Sequence, residues 1–110
     1  MSNENRKYMR ILVFFDLPTQ TPQERKIYTM FRRALLKDGY TMLQFSVYCR
    51  ICNAEDTVDK HLRRIKSFLP RKGSVRLLQI TDKQYQKMLF LVGKPKIQEK
   101  NVTSDQMLLF

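Results

Sequence analysis

Residues Arg10 to Pro18 read Arg-Ile-Leu-Val-Phe-Phe-Asp-Leu-Pro, a run of β-branched and aromatic side chains that stops on an acid. Such a run predicts a central strand. Alternation assigns Ile11, Val13 and Phe15 to one face and Leu12, Phe14 and Asp16 to the other, so both faces require cover up to Asp16. Pro18 has no donor for a sheet ladder and biases Leu17 away from helix, which ends the strand at Asp16 or Leu17. A carboxylate is thereby delivered at the mouth of a rigid element.

The rest of the chain must supply the cover. Its 110 residues are enough for one domain with one core, and any deep cleft calls for a second subunit. The 21 Lys plus Arg against 10 Asp plus Glu give a formal charge of +11, spread along the whole length. That surface suits a polyanion, with nucleic acid ahead of an anionic membrane. No segment approaches the ~18 apolar residues of a membrane span, and the polar start from Ser2 to Lys7 is no signal peptide. The expected location is the cytoplasm. Cys49 and Cys52 form a Cys-x-x-Cys pair, but zinc takes about four ligands and His61 is the only other soft one. They read as small apolar fillers in a reducing compartment.

Thr21-Pro22-Gln23-Glu24 has the spacing of a capping box with proline in the first helical position, so a helix begins there. Ile27, Met30, Phe31, Ala34 and Leu35 form its apolar stripe, and Gly39 stops it. Arg25 and Arg32, with Lys26, Arg33 and Lys37 beside them, fall on its exposed side. Tyr40 to Ile51 then alternates as one long strand. Asn53 is placed to cap a second helix with the stripe Val58, Leu62, Ile65 and Leu69; Lys60, Arg63 and Arg64 lie off that stripe, and Pro70 to Gly73 end the helix. His61 falls at the edge of the stripe, where packing is favoured over a role as a base. Val75 to Ile80 and Tyr85 to Val92 are β-like runs joined by Thr81-Asp82-Lys83-Gln84, a connection of hairpin length, with a helical start over Lys83 to Lys87 as the alternative. The order is βαββαβ-like, an α+β domain with an antiparallel sheet and two helices on one face.

Such a sheet leaves its other face bare, and apolar area there marks an interface, most simply with a second copy of the chain. The domain is expected over residues 1–92. Residues 93–110 then form a polar linker ending in Met107-Leu108-Leu109-Phe110, an arm suited to adding to a sheet edge, that of the partner subunit included.

Four stretches, Phe14-Phe15-Asp16-Leu17-Pro18, Gly39-Tyr40, Gln44-Phe45-Ser46-Val47-Tyr48 and Gly73-Ser74-Val75-Arg76, together resemble the family of CRISPR-associated protein two (Cas-two) over about residues 8 to 92. The Thr81 to Met88 stretch and the tail are most similar to members that accompany type II systems. The resemblance implies a ferredoxin-like domain that forms a homodimer through its sheets, with a C-terminal strand that often joins the partner's sheet. It also implies a bridging role between copies of the spacer integrase, which inserts captured foreign DNA into the CRISPR array. For some members it implies a metal-dependent nuclease that uses the strand-one aspartate, here Asp16.

Two functions are weighed on these residues. A Mg²⁺-dependent phosphodiesterase needs hard oxygen ligands, and Asp16 is one carboxylate; two-fold symmetry would bring a second Asp16 to the same ion. Asp38, Glu55, Asp56 and Asp59 read as helix-end residues, not as companions. The simpler role for Asp16 is a turn-former before Leu17-Pro18. The favoured mechanism is a scaffold in which Arg25, Lys26, Arg32, Arg33, Lys60, Arg63 and Arg64 meet the phosphates of a DNA duplex without reading its sequence. The alternative is a metal-dependent endoribonuclease acting on single-stranded RNA, since phosphate contacts alone do not separate RNA from DNA.

Overall fold

A computed structural model of the chain describes residues 8–53 and 58–92. Strand β1 is Tyr8–Asp16, helix α1 Pro22–Lys37, β2 Thr41–Gln44, β3 Val47–Asn53, α2 Val58–Lys66, β4 Ser74–Thr81 and α3 Asp82–Gln86. The four strands form one antiparallel sheet in the order β2-β3-β1-β4, which with α1 and α2 gives the ferredoxin-like βαββαβ arrangement. The strand read first from the sequence is central, with β3 on one side and β4 on the other, and it stops at Asp16.

Burial follows the alternation. Ile11, Val13 and Phe15 are buried beneath Phe31 and Leu35 of α1 and Ile65 of α2, so both helices lie on that face. Phe15 is the hub: its ring meets Phe31 edge-on at 5.0 Å, stacks on Tyr48 at 5.6 Å and tilts against Tyr28 at 5.8 Å. Each such pair adds about 0.5–1.5 kcal/mol beyond area burial. α1 starts at the expected capping box. The Glu24 N–H donates to Thr21 Oγ1 at 3.1 Å, and the Thr21 N–H donates to Glu24 Oε1 at 3.1 Å. Gly39, at φ +95°, follows the helix in a conformation that suits glycine, and a Cβ there would lie 2.5 Å from Arg50 Nη1.

Three expectations are corrected. Tyr40 to Ile51 is not one strand; it breaks at Phe45-Ser46 into the β2–β3 hairpin, with Ser46 at φ 65° and an irregular register between Met42 and Gln44. The hairpin supplies the second β of the βαββαβ order. Tyr85–Val92 is not a strand. Thr81 caps α3 instead, its Oγ1 accepting from the Gln84 N–H at 3.0 Å while Gln84 Oε1 accepts from the Thr81 N–H at 2.9 Å, and residues 88–92 carry no regular structure. Asn53 is the last residue of β3, and the link 54–57 to α2 lies outside the described residues.

The stripes are also rotated from expectation. Ile27, Met30 and Leu69 are 39, 59 and 43 % exposed, whereas Tyr28 packs on the core and His61 is fully buried in it. His61 is thus a core residue rather than an edge one. The expected linker and arm, residues 93–110, lie outside the described residues. Among the described residues no helix is long and apolar enough to cross a membrane.

Candidate nucleic-acid interface and the Asp16 corner

Because Phe15 enters the core, Asp16 turns to the opposite, open face of the sheet, where it is exposed. The corner is held from both sides. The Phe15 N–H donates to Ser46 O of the hairpin at 3.0 Å, and Asp16 faces Ser74 at the start of β4. Gly73, at φ +91°, lies so close that a Cβ would stand 2.5 Å from the Asp16 carbonyl oxygen. No other residue type fits there without moving β1. The Asp16 carboxylate makes no hydrogen bond or ion pair with another described residue, which leaves it available to a ligand.

One carboxylate per chain does not make a metal site. Among the described residues no group of three His, Cys, Asp or Glu converges to hold an ion. Asp38 caps α1 and binds Arg64, and Asp59 sits in the first turn of α2, so neither joins Asp16; Glu55 and Asp56 lie outside the described residues. Cys49 and Cys52 are both buried, on opposite faces of β3: Cys49 opposes Leu12 on the open face, and Cys52 opposes Met9 on the helical one. They neither bridge nor share a ligand. Burial pushes the Cys49 thiol up despite Arg10 beside it, which opposes thiolate chemistry.

The seven candidate cations all belong to the helical layer, on the far side of the sheet from Asp16. Lys26 and Arg33 project outward from α1, and Lys60 and Arg63 from α2, all exposed. Arg25 is exposed but partly engaged, its Nη1 donating to Thr19 O at 3.1 Å and Gln20 O at 3.0 Å, where it braces the loop before α1. Arg32 is half-buried on the same flank. Arg64 is tied to Asp38, whose backbone carbonyl also accepts from Arg50, so these two arginines pin the end of α1 to α2 and β3. Beside them, burial first and the Asp38 charge second push the Tyr40 hydroxyl up to about 12. An apolar groove of about 970 Å³ also opens on the helical side, between Ile27 and Met30 of α1 and Phe68 and Leu69 after α2, with Arg71 and Lys72 at its rim. Asp16 does not line it.

The open face carries two residues that the sequence reading did not single out. Arg10 Nε donates to Asp82 Oδ1 at 2.8 Å, and its guanidinium lies 4.2 Å from the centre of the Tyr85 ring. This latch folds α3 back onto β1 and β4, so the open face is partly covered rather than bare. Arg10 and Asp82 are 72 residues apart, a separation at which no local pattern announces a pair. The hydrogen bond from Arg10 holds the Asp82 carboxyl below its usual range. Beyond the latch, Phe14, Ile51 and Leu78 remain 36, 48 and 49 % exposed.

Fold and site together define a small ferredoxin-like protein with a basic helical layer and a single acid at the end of its central strand. A family profile described as "CRISPR associated protein Cas2" matches residues 9–88. The chain belongs to the CRISPR-associated Cas2 family, in line with the sequence resemblance. Relatives named "CRISPR-associated endoribonuclease Cas2" include one from Acidovorax ebreus, 54 % identical over 93 % of this chain and all of that protein. Another from Flavobacterium psychrophilum is 47 % identical over 91 % of this chain and 86 % of its own length. A third, from Ligilactobacillus salivarius, is 44 % identical over 92 % of this chain and 99 % of its own length.

Proposed function

We propose that this chain is a CRISPR adaptation protein of the cytoplasm, a homodimer that bridges DNA within the spacer integrase complex during antiviral defence. The observation that carries the reading is the exposure of Lys26, Arg33, Lys60 and Arg63 on the two helices, with Arg25 exposed and Arg32 half-buried on α1, in a chain of formal charge +11. Cations in that arrangement neutralise phosphates and leave bases unread, which suits arbitrary foreign DNA. Exposed Phe14, Ile51 and Leu78 supply apolar surface for pairing two copies through the open faces of their sheets.

Pairing also bears on chemistry. With two copies facing, one Asp16 from each would hold a Mg²⁺ ion, whose contribution is to activate water and offset charge on a phosphate. Asp16 itself, on a strand end fixed by Gly73 and Ser46, supplies a placed carboxylate. The second reading is a metal-dependent endoribonuclease acting on single-stranded RNA. It is supported by the names of the relatives, each called an endoribonuclease, and by the same phosphate-only cations, which serve RNA as well as DNA.

The scaffold reading is tested by duplex DNA binding across a salt series. Replacing Lys26 and Arg33 together by Ala is expected to lower the slope of log affinity against log salt by roughly two units while leaving the fold intact. An unchanged slope would put the DNA on another surface.

A further inference from the structure

We propose that Arg76 holds a substrate phosphate beside Asp16, so that the working corner of this protein is an acid and an arginine on adjacent strands. The inference deepens the nuclease reading above and rests on it for the word substrate, but not for the binding of phosphate.

Asp16 of β1 faces Ser74 of β4, and Phe14 faces Arg76, so Asp16 and Arg76 are diagonal neighbours on the same open face. Diagonal positions in an antiparallel pair stand roughly 7–8 Å apart, within reach of a long side chain. A phosphate lying between them would meet the guanidinium on one side and the carboxylate corner on the other.

Availability singles out Arg76. The strands carry three arginines, Arg10, Arg50 and Arg76. Arg50 is on the helical face and donates to Asp38 O; Arg10 is on the open face but is held by Asp82 and Tyr85. The Arg76 side chain is exposed and makes no hydrogen bond, ion pair or ring contact with another described residue. An arginine standing in that condition two residues from the position opposite Asp16 has no structural task in the fold.

Electrostatics gives it one. A lone carboxylate repels phosphate, and the outward cations of α1 and α2 lie behind the sheet, where they do nothing to offset that repulsion at close range. Arg76 offsets it locally, and its planar fork suits two phosphate oxygens at once. Ser74, directly opposite Asp16, places a hydroxyl at the same corner.

The test uses the full-length protein and a short fluorescein-labelled single-stranded RNA of mixed sequence, bound in chelator across a salt series. Arg76→Ala is expected to weaken binding several-fold and to reduce the salt slope by roughly 0.7 units, the value for one phosphate contact on a single strand. Arg76→Lys should restore the slope but not the full affinity, since the charge returns without the fork. Asp16→Ala should leave the slope unchanged. A slope unaltered in Arg76→Ala overturns the proposal, and so does a loss of slope that accompanies a change in sedimentation, which would make Arg76 an assembly residue. Failure of the wild-type protein to cleave RNA when Mg²⁺ is restored would count against the nuclease reading alone, because the binding series decides Arg76 without it.

Discussion

On one side of β1, Phe15 is 5 % exposed and the rings of Tyr28, Phe31 and Tyr48 close on it; on the other, its neighbour Phe14 is 36 % exposed at the surface. The residues are of one type and adjacent, and only the direction of the side chain separates them. The helical face holds the packed core, an apolar groove beside Ile27 and Met30, and most of the cations of α1 and α2 at its surface. The open face has one latch, an apolar patch, one acid and one unengaged arginine. A sheet that completes its core on one side has the other side left for encounters, and the chemistry of each side follows from which alternate residues it received.

The difference is open to direct attack. Phe15→Ala should cost about 3–5 kcal/mol of stability, the range for emptying a packed aromatic site. Phe14→Ala should cost the isolated fold less than about 1 kcal/mol and instead weaken self-association, seen by comparing urea denaturation with sedimentation at several concentrations. Equal losses in denaturation would mean that the two faces are not distinct.

A smaller effect concerns the helix that covers the core. Thr21→Ala removes the acceptor for the Glu24 N–H and should lower stability by about 1 kcal/mol. Thr81→Ala, at the matching cap of α3, should leave global stability almost unchanged and loosen only α3, with faster amide exchange over residues 82–86. The smallest effect is that of acid on the latch. Asp82 has a lowered folded pKa, so its bond to Arg10 contributes above the ordinary carboxylate range and is lost as pH falls through the lowered value. A pH titration of the Tyr85 ring resonances should show this release, and Asp82→Asn should abolish it.

How far the sequence carried these distinctions varied with the range of the interactions behind them. β1, its alternation and the α1 capping box were legible because each depends on residues within a few positions. The β2–β3 hairpin was hidden, since alternation runs through Tyr40 to Ile51 and Phe45-Ser46 lacks the glycine or asparagine that usually marks so tight a turn. Thr81-x-x-Gln84 was a readable capping signal that the apolar run after Tyr85 obscured. Asp16 stood out as a candidate because it closes a strand. Arg76 was not, because its place beside Asp16 exists only once β4 is laid antiparallel to β1. The Asp38–Arg64 pair likewise joins two helices, and it withdrew one arginine from the row of cations expected from helix geometry.

The central proposal is that duplex binding by the cations of α1 and α2 and the chemistry proposed for the Asp16 corner, with Arg76 beside it, occupy opposite faces of one sheet. It is tested most directly by measuring affinity and Mg²⁺-dependent cleavage side by side, on labelled RNA and on duplex DNA, for the wild type, Asp16→Asn and Lys26→Ala with Arg33→Ala. The account predicts that Asp16→Asn binds duplex DNA as the wild type does and loses cleavage. It predicts that the double variant binds more weakly and cleaves at an unchanged rate once nucleic acid is saturating. Cleavage by Asp16→Asn at the wild-type rate, or parallel losses of binding and cleavage in both variants, would contradict it.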